Sequence, residues 1–323
     1  MTPLVTVERL SRVFDVSPPW LNRAIERRPR AFLTAVADVS FEIGENEVYG
    51  LVGESGSGKS TIGKIMVGLT PPTDGQVQVE GVELTGHSAA VTRVRGRIQM
   101  IFQDPYASLN PRWRVRDIVT EPVVAGGGDA SGMAERLLEQ VGLSAEDAAK
   151  FPHEFSGGQR QRICIARALS SEPKLIVCDE PTSALDVSVQ AQVLNLMSDL
   201  RREHSLSYLF ISHDLTVVRH MAHRVGVLYL GRLVEEADRD TMFAGPLHPY
   251  TRMLFEAAPR TDGFDREAAP PVGEIPDPTD PPSGCVFHPR CPLAEPRCRE
   301  HAPELKRHGA SRVACHVVTD PAG

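Results

Sequence analysis

The sequence predicts an α/β fold with a largely parallel sheet, and three observations support this prediction. Short apolar runs alternate with segments of helical periodicity over most of the chain, which is the pattern of α/β folds. The pattern G-x-x-x-x-G-K-S at residues 53–60 lies between a predicted strand and a predicted helix. A second apolar run, residues 174–181, carries an acidic pair. These features indicate a phosphate site at the edge of the sheet.

The N-terminal part begins with strand-like runs at residues 5–10 and 36–43, which a basic insertion at residues 18–30 separates. The insertion combines three apolar residues with four arginines, namely Trp20, Leu21 and Ile25 with Arg23, Arg27, Arg28 and Arg30. It fits either an amphipathic segment near a membrane surface or partner subunit, or a solvated basic loop. Because the run is short and bounded by prolines, the loop is favoured.

The next elements surround the glycine-rich pattern. Residues 47–53 form a predicted buried strand, and the apolar residues that follow recur at helical spacing from Ile62 to Leu69. Pro71 and Pro72 end this helix. Residues 75–84 are predicted to form a hairpin.

The second half of the predicted domain is more helical. Residues 104–170 are predicted to be mostly helical, and the run at 174–181 forms a buried strand. A helix is expected over residues 189–200, and further strands over 206–212 and 224–230.

A change of composition near residue 246 predicts a domain boundary. The 323 residues are about twice an average domain, and prolines interrupt the chain after about residue 245. We therefore predict one domain over residues 1–245 and a cysteine- and proline-rich C-terminal extension over residues 246–323.

The net charge of −7 argues against nucleic acid as a partner, because phosphate backbones require a basic face. No apolar window approaches the ~18 residues that span a bilayer, and the N-terminus lacks the apolar core of a secretory signal. A cytosolic chain is expected, with any membrane role supplied by partners.

The glycine-rich pattern predicts a nucleotide site. Glycines let backbone N–H groups surround phosphate oxygens, and the following helix contributes the positive end of its dipole. In this pattern Lys59 reaches the β- and γ-phosphates and the Ser60 hydroxyl binds Mg²⁺. Asp179 ends a neighbouring strand and is expected to help hold Mg²⁺. Glu180 follows and can act as a general base towards water.

Four further segments resemble ATP-binding cassette (ABC) proteins. FSGGQRQR at 155–162 resembles their signature motif, IFQDP at 101–105 their Q-loop, SALD at 183–186 their D-loop and ISHD at 211–214 their switch-histidine loop. All occur in the family's order. Phe14 aligns with an adenine-stacking aromatic residue, although a buried strand-end Phe is the alternative.

The resemblance is closest to ATPase subunits of oligopeptide and dipeptide importers. It is carried by residues 102–113, 152–169 and 174–193, by GPLHPYTRMLF at 245–255 and by GCVFHPRCPLAEPRC at 284–298. The insertion before residue 31 resembles the F-type subunit. Importers of nickel, glutathione and other small solutes share the subfamily. The resemblance implies an antiparallel β subdomain and a helical signature subdomain, about residues 104–170, beside the parallel sheet.

The resemblance also implies a set of site residues. The catalytic residues are Glu180, His213, Gln103 and Lys59. The ATP-binding residues are Phe14, Gly53, Glu54, Ser55, Gly56, Ser57, Gly58, Lys59, Ser60, Thr61, Gln103, Asp179, Ser156, Gly157, Gly158, Gln159 and Asp186. Mg²⁺ would be held through Ser60, Gln103 and Asp179.

The implied assembly is a membrane transporter. The signature of a second ATPase subunit, a paralogue by family analogy, completes each site. Two transmembrane permease subunits hold the pair at the cytoplasmic face of the membrane, and an extracytoplasmic solute-binding protein delivers the solute. The alternative class is a soluble ABC ATPase of DNA repair or translation, but such proteins carry long coiled coils or tandem cassettes.

Four of the six cysteines lie in the last forty residues: Cys285, Cys291, Cys298 and Cys315. Their spacing is looser than that of common zinc modules and differs from ferredoxin patterns. A segment with so few apolar residues usually needs a staple, and disulfides are disfavoured in the cytosol. The resemblance favours a [4Fe–4S] cluster, with Zn²⁺, plain reduced cysteines or a mixed site with nearby histidines as alternatives.

Overall fold

The computed structural model describes residues 2–26, 29–86, 88–257 and 273–320. It confirms the α/β class, with strands in two sheets. The strands are β1 (Val5–Asp15), β2 (Phe32–Ile43), β3 (Val48–Val52), β4 (Asp74–Val79), β5 (Val82–Glu83), β6 (Ile98–Ile101), β7 (Leu175–Asp179), β8 (Ser207–Ile211), β9 (Arg224–Tyr229), β10 (Arg232–Asp238), β11 (Lys306–His308) and β12 (Ser311–Val313).

Helices lie between and after these strands, several of them in the segments where the periodicity predicts helices. They are α1 (Trp20–Glu26), α2 (Lys59–Met66), α3 (Ala89–Gly96), α4 (Pro105–Ser108), α5 (Val115–Ala125), α6 (Met133–Gln140), α7 (Gly157–Leu169), α8 (Val187–His204), α9 (Leu215–Met221), α10 (Arg239–Ala244), α11 (Pro249–Glu256), α12 (Pro296–Glu300) and α13 (His316–Thr319). Short 3₁₀ helices span Ala145–Ala149, Pro152–Glu154 and His288–Arg290. None of the helices described is long and apolar enough to cross a membrane.

The larger sheet has eight strands in the order β11-β12-β10-β9-β3-β8-β7-β6. The segment from β9 to β6 is parallel, and β10, β12 and β11 extend it antiparallel. Every residue of β3, β7 and β8 is buried, because helices or the second sheet cover both faces. Such coverage accounts for the continuous apolar runs from which these strands were predicted.

The second sheet is antiparallel, in the order β2-β1-β4-β5. In β1, Val5 pairs with Ile43 of β2 on one side and with Val79 of β4 on the other. The predicted hairpin at 75–84 is the β4–β5 pair. This sheet packs with α2 against one face of the larger sheet.

The predicted helical region, residues 104–170, forms α4 to α7 with two 3₁₀ turns. Its apolar residues share one buried cluster with α8 and with β7 and β8. Cys164 and Cys178, predicted to be core residues, are both buried. The signature segment therefore lies on a subdomain packed on the opposite face from the antiparallel sheet.

The C-terminal extension is attached to the larger sheet. In β12, Val313 pairs with Glu235 of β10, and the buried side chains of Tyr250 and Phe287 share a cluster with Val52 of β3. The predicted division at residue 246 stays a prediction. The extension nevertheless shares part of its core with the larger sheet, and the prolines at 259, 270 and 271 lie outside the described residues.

Three features differ from the sequence prediction or sharpen it. The insertion at residues 18–30 contains a short helix, α1, whose Trp20 and Ile25 are 76% and 74% exposed; Arg27 and Arg28 lie outside the described residues. Strand β6 was not predicted, because its four residues are embedded between helices and too few to show a period. Helix α2 begins at Lys59, earlier than its apolar spacing indicates.

Candidate nucleotide site

An open cleft of about 670 Å³ lies beside the glycine-rich loop. The loop connects β3 to α2, so the positive end of the helix dipole faces the cleft. Two glycines are required by close packing. A Cβ on Gly53 would lie 2.1 Å from the carbonyl oxygen of Leu228, and one on Gly58 would lie 2.1 Å from that of Ala35. Both also have positive φ, so no other residue fits without moving the backbone.

Lys59 is the buried cation of the loop. Its Nζ donates hydrogen bonds to the carbonyl oxygens of Gly53 (2.7 Å) and Glu54 (2.8 Å) and to the Ser57 hydroxyl (3.3 Å). Burial lowers the pKa of the Lys59 amine, and the negative charges of Glu180, Asp179 and Glu54 oppose that effect. The ammonium is thus fixed at the centre of the loop, where phosphate oxygens can replace the carbonyls as acceptors.

Ser60 and Asp179 form the oxygen-rich side of the site. The Ser60 hydroxyl donates a 2.9 Å hydrogen bond to Oδ1 of Asp179 at the end of β7. Burial raises the pKa of the Asp179 carboxyl, and the bond from Ser60 opposes the rise. A hydroxyl and a carboxylate oxygen in contact are suitable ligands for Mg²⁺.

Glu180 is held by two other predicted residues. The side-chain amide of Gln103 donates to Oε2 of Glu180 (2.8 Å), and Nδ1 of His213 lies 2.9 Å from Oε1. The backbone of Glu180 is left-handed, with φ 49°, a strained state for a non-glycine residue that often marks functional positions. Gln103, Glu180 and His213 all line the cleft, so the Glu180 carboxylate borders the space that a ligand would occupy.

Phe14 is the aromatic residue of the cleft lining. It lines the cleft beside Leu33 and Ala35, and the guanidinium of Arg12 lies 4.5 Å from its ring centroid. The ring is only partly buried. This position suits stacking against a base, which stays a prediction.

The structure brings together one part of the predicted ATP-binding set and separates another. Residues that line the cleft are Phe14, Ser55, Gly56, Ser57, Gly58, Lys59, Ser60, Thr61, Gln103, Glu180 and His213. Gly53, Glu54 and Asp179 lie behind them and contact them through Lys59 and Ser60. Ser156, Gly157, Gly158, Gln159 and Asp186 do not line this cleft.

The signature residues begin α7. The Ser156 hydroxyl accepts from the backbone N–H of Gln159, whose side-chain oxygen accepts from the N–H of Ser156, a reciprocal cap. Asp186 precedes α8 in the same way but its side chain makes no capping bond. Both segments are ordered helix starts on the helical side of the molecule.

Sequence reasoning missed the residues that support the loop from the C-terminal extension. Arg290 binds the side chain of Glu54, and the Tyr250 hydroxyl accepts from its backbone N–H. Pro278 lines the cleft. Because Arg290 and Glu54 are 236 positions apart, no local pattern in the sequence could have revealed the contact.

The four C-terminal cysteines lie near one another, but they do not form a metal-binding group among the described residues. The N–H of Cys285 donates to the carbonyl oxygen of Cys298 at 2.8 Å. Burial raises the pKa of Cys285 to about 11 and raises those of Cys291 and Cys315. Among the described residues, no three His, Cys, Asp or Glu side chains could hold a metal ion. The predicted metal centre is therefore not supported.

Comparison with family models gives two matches. Residues 36–183 match the model for "ABC transporter", and residues 234–298 match "oligopeptide/dipeptide transporter, C-terminal region". The first match contains the glycine-rich loop and the acidic pair. The second contains most of the segment that packs against the loop.

The chain is similar to characterised and probable transport proteins along nearly its whole length. It is 49% identical to a probable peptide ABC transporter ATP-binding protein of Sinorhizobium fredii, covering 97% of this chain and 90% of that protein. It is 50% identical to an oligopeptide transport ATP-binding protein of Bacillus subtilis, covering 88% and 90%. A dimeric ATP-binding cassette solved with ADP and phosphate superposes with TM-score 0.62 at 28% identity, covering 73% and 98%.

Proposed function

Because the chain belongs to the ABC transporter family of ATPases, and within it to the oligopeptide and dipeptide branch, we propose that it is the energy-coupling subunit of a peptide importer. It hydrolyses ATP to ADP and phosphate, and ATP bound between two such subunits drives transport. The observation that carries this proposal is the contact of Glu180 with both Gln103 and His213 beside the phosphate loop.

Each residue of the cleft has a role in that reaction. Lys59 and the loop N–H groups bind the phosphates, and Phe14 stacks on the base. Ser60, Asp179 and the side-chain oxygen of Gln103 would hold Mg²⁺, which neutralises charge on the transferring phosphoryl group. This assignment is supported by the contact between Ser60 and Asp179.

Glu180 polarises the attacking water as general base. Its two partners keep the carboxylate in one orientation, so little reorganisation is needed when ATP binds. Since the base and the switch histidine are both present and in contact, the half-site is complete on this side.

A second ATPase subunit, a paralogue or a copy, supplies the other side. The signature residues begin α7 but do not line the chain's own cleft. The N–H groups of Ser156 and Gln159 make the reciprocal cap, so the N–H groups of Gly157 and Gly158 and the Ser156 hydroxyl are the donors that would meet the γ-phosphate of a facing subunit. ATP then holds the two chains together, and hydrolysis releases them. This arrangement agrees with the dimeric state of the similar cassette.

Two permease subunits receive this motion at the cytoplasmic face of the membrane. Gln103 begins the segment expected to contact a cytoplasmic helix of a permease, so closure of the ATPase pair moves that helix. An extracytoplasmic binding protein delivers the solute. Peptides are favoured over nickel or glutathione because the relatives and the matching C-terminal family are named for peptide, oligopeptide or dipeptide transport.

Co-expression of the chain with two permease subunits and a second ATPase subunit tests the assembly. We expect the chain to co-purify with two polytopic membrane subunits and the reconstituted complex to hydrolyse ATP faster when peptide-loaded binding protein is added. Recovery of the chain alone, with unstimulated ATPase activity, would instead favour a soluble ABC ATPase. If nickel or glutathione stimulates ATP hydrolysis and peptides do not, the transported solute is not a peptide.

A [4Fe–4S] cluster on Cys285, Cys291, Cys298 and Cys315 is a separate part of the proposal. Two observations support it. The four thiols lie close enough to one another to interact electrostatically, and the segment has only a small apolar core of its own. The described residues contain no group of three His, Cys, Asp or Glu side chains arranged to hold a metal ion, which counts against zinc and against the cluster alike. Iron and sulfide analysis after anaerobic purification tests the cluster: a colourless protein without iron rejects it.

A further inference from the structure

The C-terminal extension makes a two-point ion pair with the phosphate loop. Nη1 of Arg290 lies 2.9 Å from Oε2 of Glu54, and Nη2 lies 3.0 Å from Oε1. The Arg290 side chain is 2% exposed and that of Glu54 is 17% exposed. A guanidinium bound to both oxygens of a carboxylate fixes the direction of that carboxylate as well as its distance.

The backbone of Glu54 is held from the same side. Its N–H donates a 2.8 Å hydrogen bond to the Tyr250 hydroxyl. The Tyr250 ring is fully buried and packs against Tyr229 and Phe287, with ring centroids 4.5 Å and 5.5 Å apart. Because both supports of Glu54 come from a packed aromatic cluster, the residue has little freedom to move.

Glu54 in turn contacts the phosphate-binding lysine. Its carbonyl oxygen accepts from Nζ of Lys59 at 2.8 Å, and the negative charge of its side chain acts on the Lys59 amine. The segment Ile275–Pro278 of the extension lies along the same loop, and Pro278 reaches the nucleotide cleft. Glu54 thus connects the extension to Lys59.

The ion pair between Arg290 and Glu54 also changes the charge of the phosphate loop. Glu54 is an anion in a loop that must bind a polyphosphate, and an unpaired carboxylate there would repel the ligand. The Arg290 guanidinium neutralises it. A buried ion pair often adds little to the free energy of unfolding. We therefore assign the pair of Arg290 and Glu54 a role in the shape and charge of the loop.

We propose that Arg290 is a positioning residue of the nucleotide site: acting through Glu54, it fixes the loop that carries Lys59 and cancels the loop's negative charge, so that the C-terminal extension sets the affinity for ATP. This inference rests on the proposed function, because it concerns the same ATP site. Arg290 itself does not line the cleft.

The test is ATP binding by the full-length chain carrying Arg290→Met. We expect the dissociation constant to rise about tenfold, equivalent to about 1.4 kcal/mol. In the assembled transporter, KM for ATP should rise while kcat at saturating ATP stays within about twofold, the signature of lost ground-state binding. Arg290→Lys should restore part of the affinity, because it keeps the charge but loses the fork.

Two further variants separate positioning from a general structural effect. Arg297→Met is the matched control, because Arg297 binds Glu295 and the carbonyl oxygens of His316 and Asp320 within the extension. We expect it to leave ATP affinity unchanged. In a Glu54→Gln background, adding Arg290→Met should cost less than in the wild type, because the charge it neutralises is gone.

Three outcomes would overturn the proposal. They are wild-type ATP affinity in folded Arg290→Met, an equal loss in Arg297→Met, or additive effects of Glu54→Gln and Arg290→Met. If Arg290→Met does not fold, wild-type affinity in both Arg290→Lys and Glu54→Gln is enough to reject it. Failure of the proposed function is distinguishable, because it would show in the wild-type chain, either as absent ATP binding or as ATPase activity that peptide-loaded binding protein does not stimulate.

Discussion

Gln103, Glu180 and His213 of the nucleotide cleft are polar and at least partly exposed, whereas Tyr250 and Phe287 of the C-terminal extension are aromatic and buried. The His213 side chain is 60% exposed, while Phe287 and Tyr250 are 1% and 0% exposed. The cleft presents groups to a ligand, and the extension presents a packed surface to the back of the loop.

This difference separates two kinds of effect. Substitutions in the cleft should change ATP binding or turnover with little change in the free energy of unfolding. Substitutions in the extension's aromatic cluster should change stability and leave the cleft's functional groups present. Arg290 is the exception that joins the regions, because it is buried in one and acts on the other.

Lys59→Ala is expected to have the largest effect. It removes the ammonium that the loop surrounds, and productive ATP binding should be abolished. Calorimetry and the ATP-dependent rise in melting temperature both measure this. Lys64→Ala, on the exposed face of the same helix, should retain binding. Near-normal ATP turnover by Lys59→Ala in the transporter would contradict the site assignment.

Glu180→Gln should lower ATP hydrolysis by roughly 10²–10⁴-fold, the scale for loss of a general base. ATP binding should persist and the closed dimer should accumulate, as size-exclusion chromatography with ATP can show. Glu172→Gln is the control, since Glu172 is exposed and also has a left-handed backbone. A change in turnover of less than about twofold would remove Glu180 from the role of base.

Phe287→Ala should lower the free energy of unfolding by about 3–5 kcal/mol, because it leaves a cavity among buried aromatic rings. The ring contacts Tyr229, His248 and Tyr250. Denaturant unfolding measures the loss. Leu293→Ala, 43% exposed in the same extension, should stay within about 0.5 kcal/mol. Equal stability of the two variants would show that the extension does not support the core.

Phe14→Ala should weaken ATP binding about two- to tenfold, as expected for one aromatic contact. Titration with a fluorescent ATP analogue measures the change. Phe32→Ala removes a half-exposed ring of β2 that does not line the cleft, and it should leave affinity unchanged. If both variants bind ATP like the wild type, Phe14 is only a strand-end residue.

The smallest effect is expected in the insertion. Trp20→Ala and Ile25→Ala remove exposed side chains of α1, so the free energy of unfolding should change by less than about 0.5 kcal/mol. Membrane association of the assembled transporter should also be unchanged if the insertion is a solvated segment. Loss of association without loss of stability would instead favour the amphipathic interpretation.

Most of the fold around the cleft could be predicted because its signals are local. The buried strands β3 and β7 are uninterrupted apolar runs, and the glycine-rich loop is a short motif between a strand and a helix. The packing that requires its glycines is not local, because Gly53 approaches Leu228 and Gly58 approaches Ala35. Strand β6 escaped prediction because four residues carry no measurable period. The contact of Glu180 with Gln103 and His213 was anticipated only through the family resemblance.

The sequence by itself determined the α/β class, the phosphate loop with Lys59 and the acidic pair at 179–180, because each depends on short-range pattern and on residue chemistry. Gln103 and His213 were identified through the family resemblance. Only the tertiary structure decided that the extension joins the larger sheet through Val313 and Glu235 and reaches the loop through Arg290. Such contacts depend on packing between segments that are far apart in the chain. The four cysteines show the same limit: their number and placement suggested a metal centre, but within the described residues the fold brings no three His, Cys, Asp or Glu side chains into a metal-binding group.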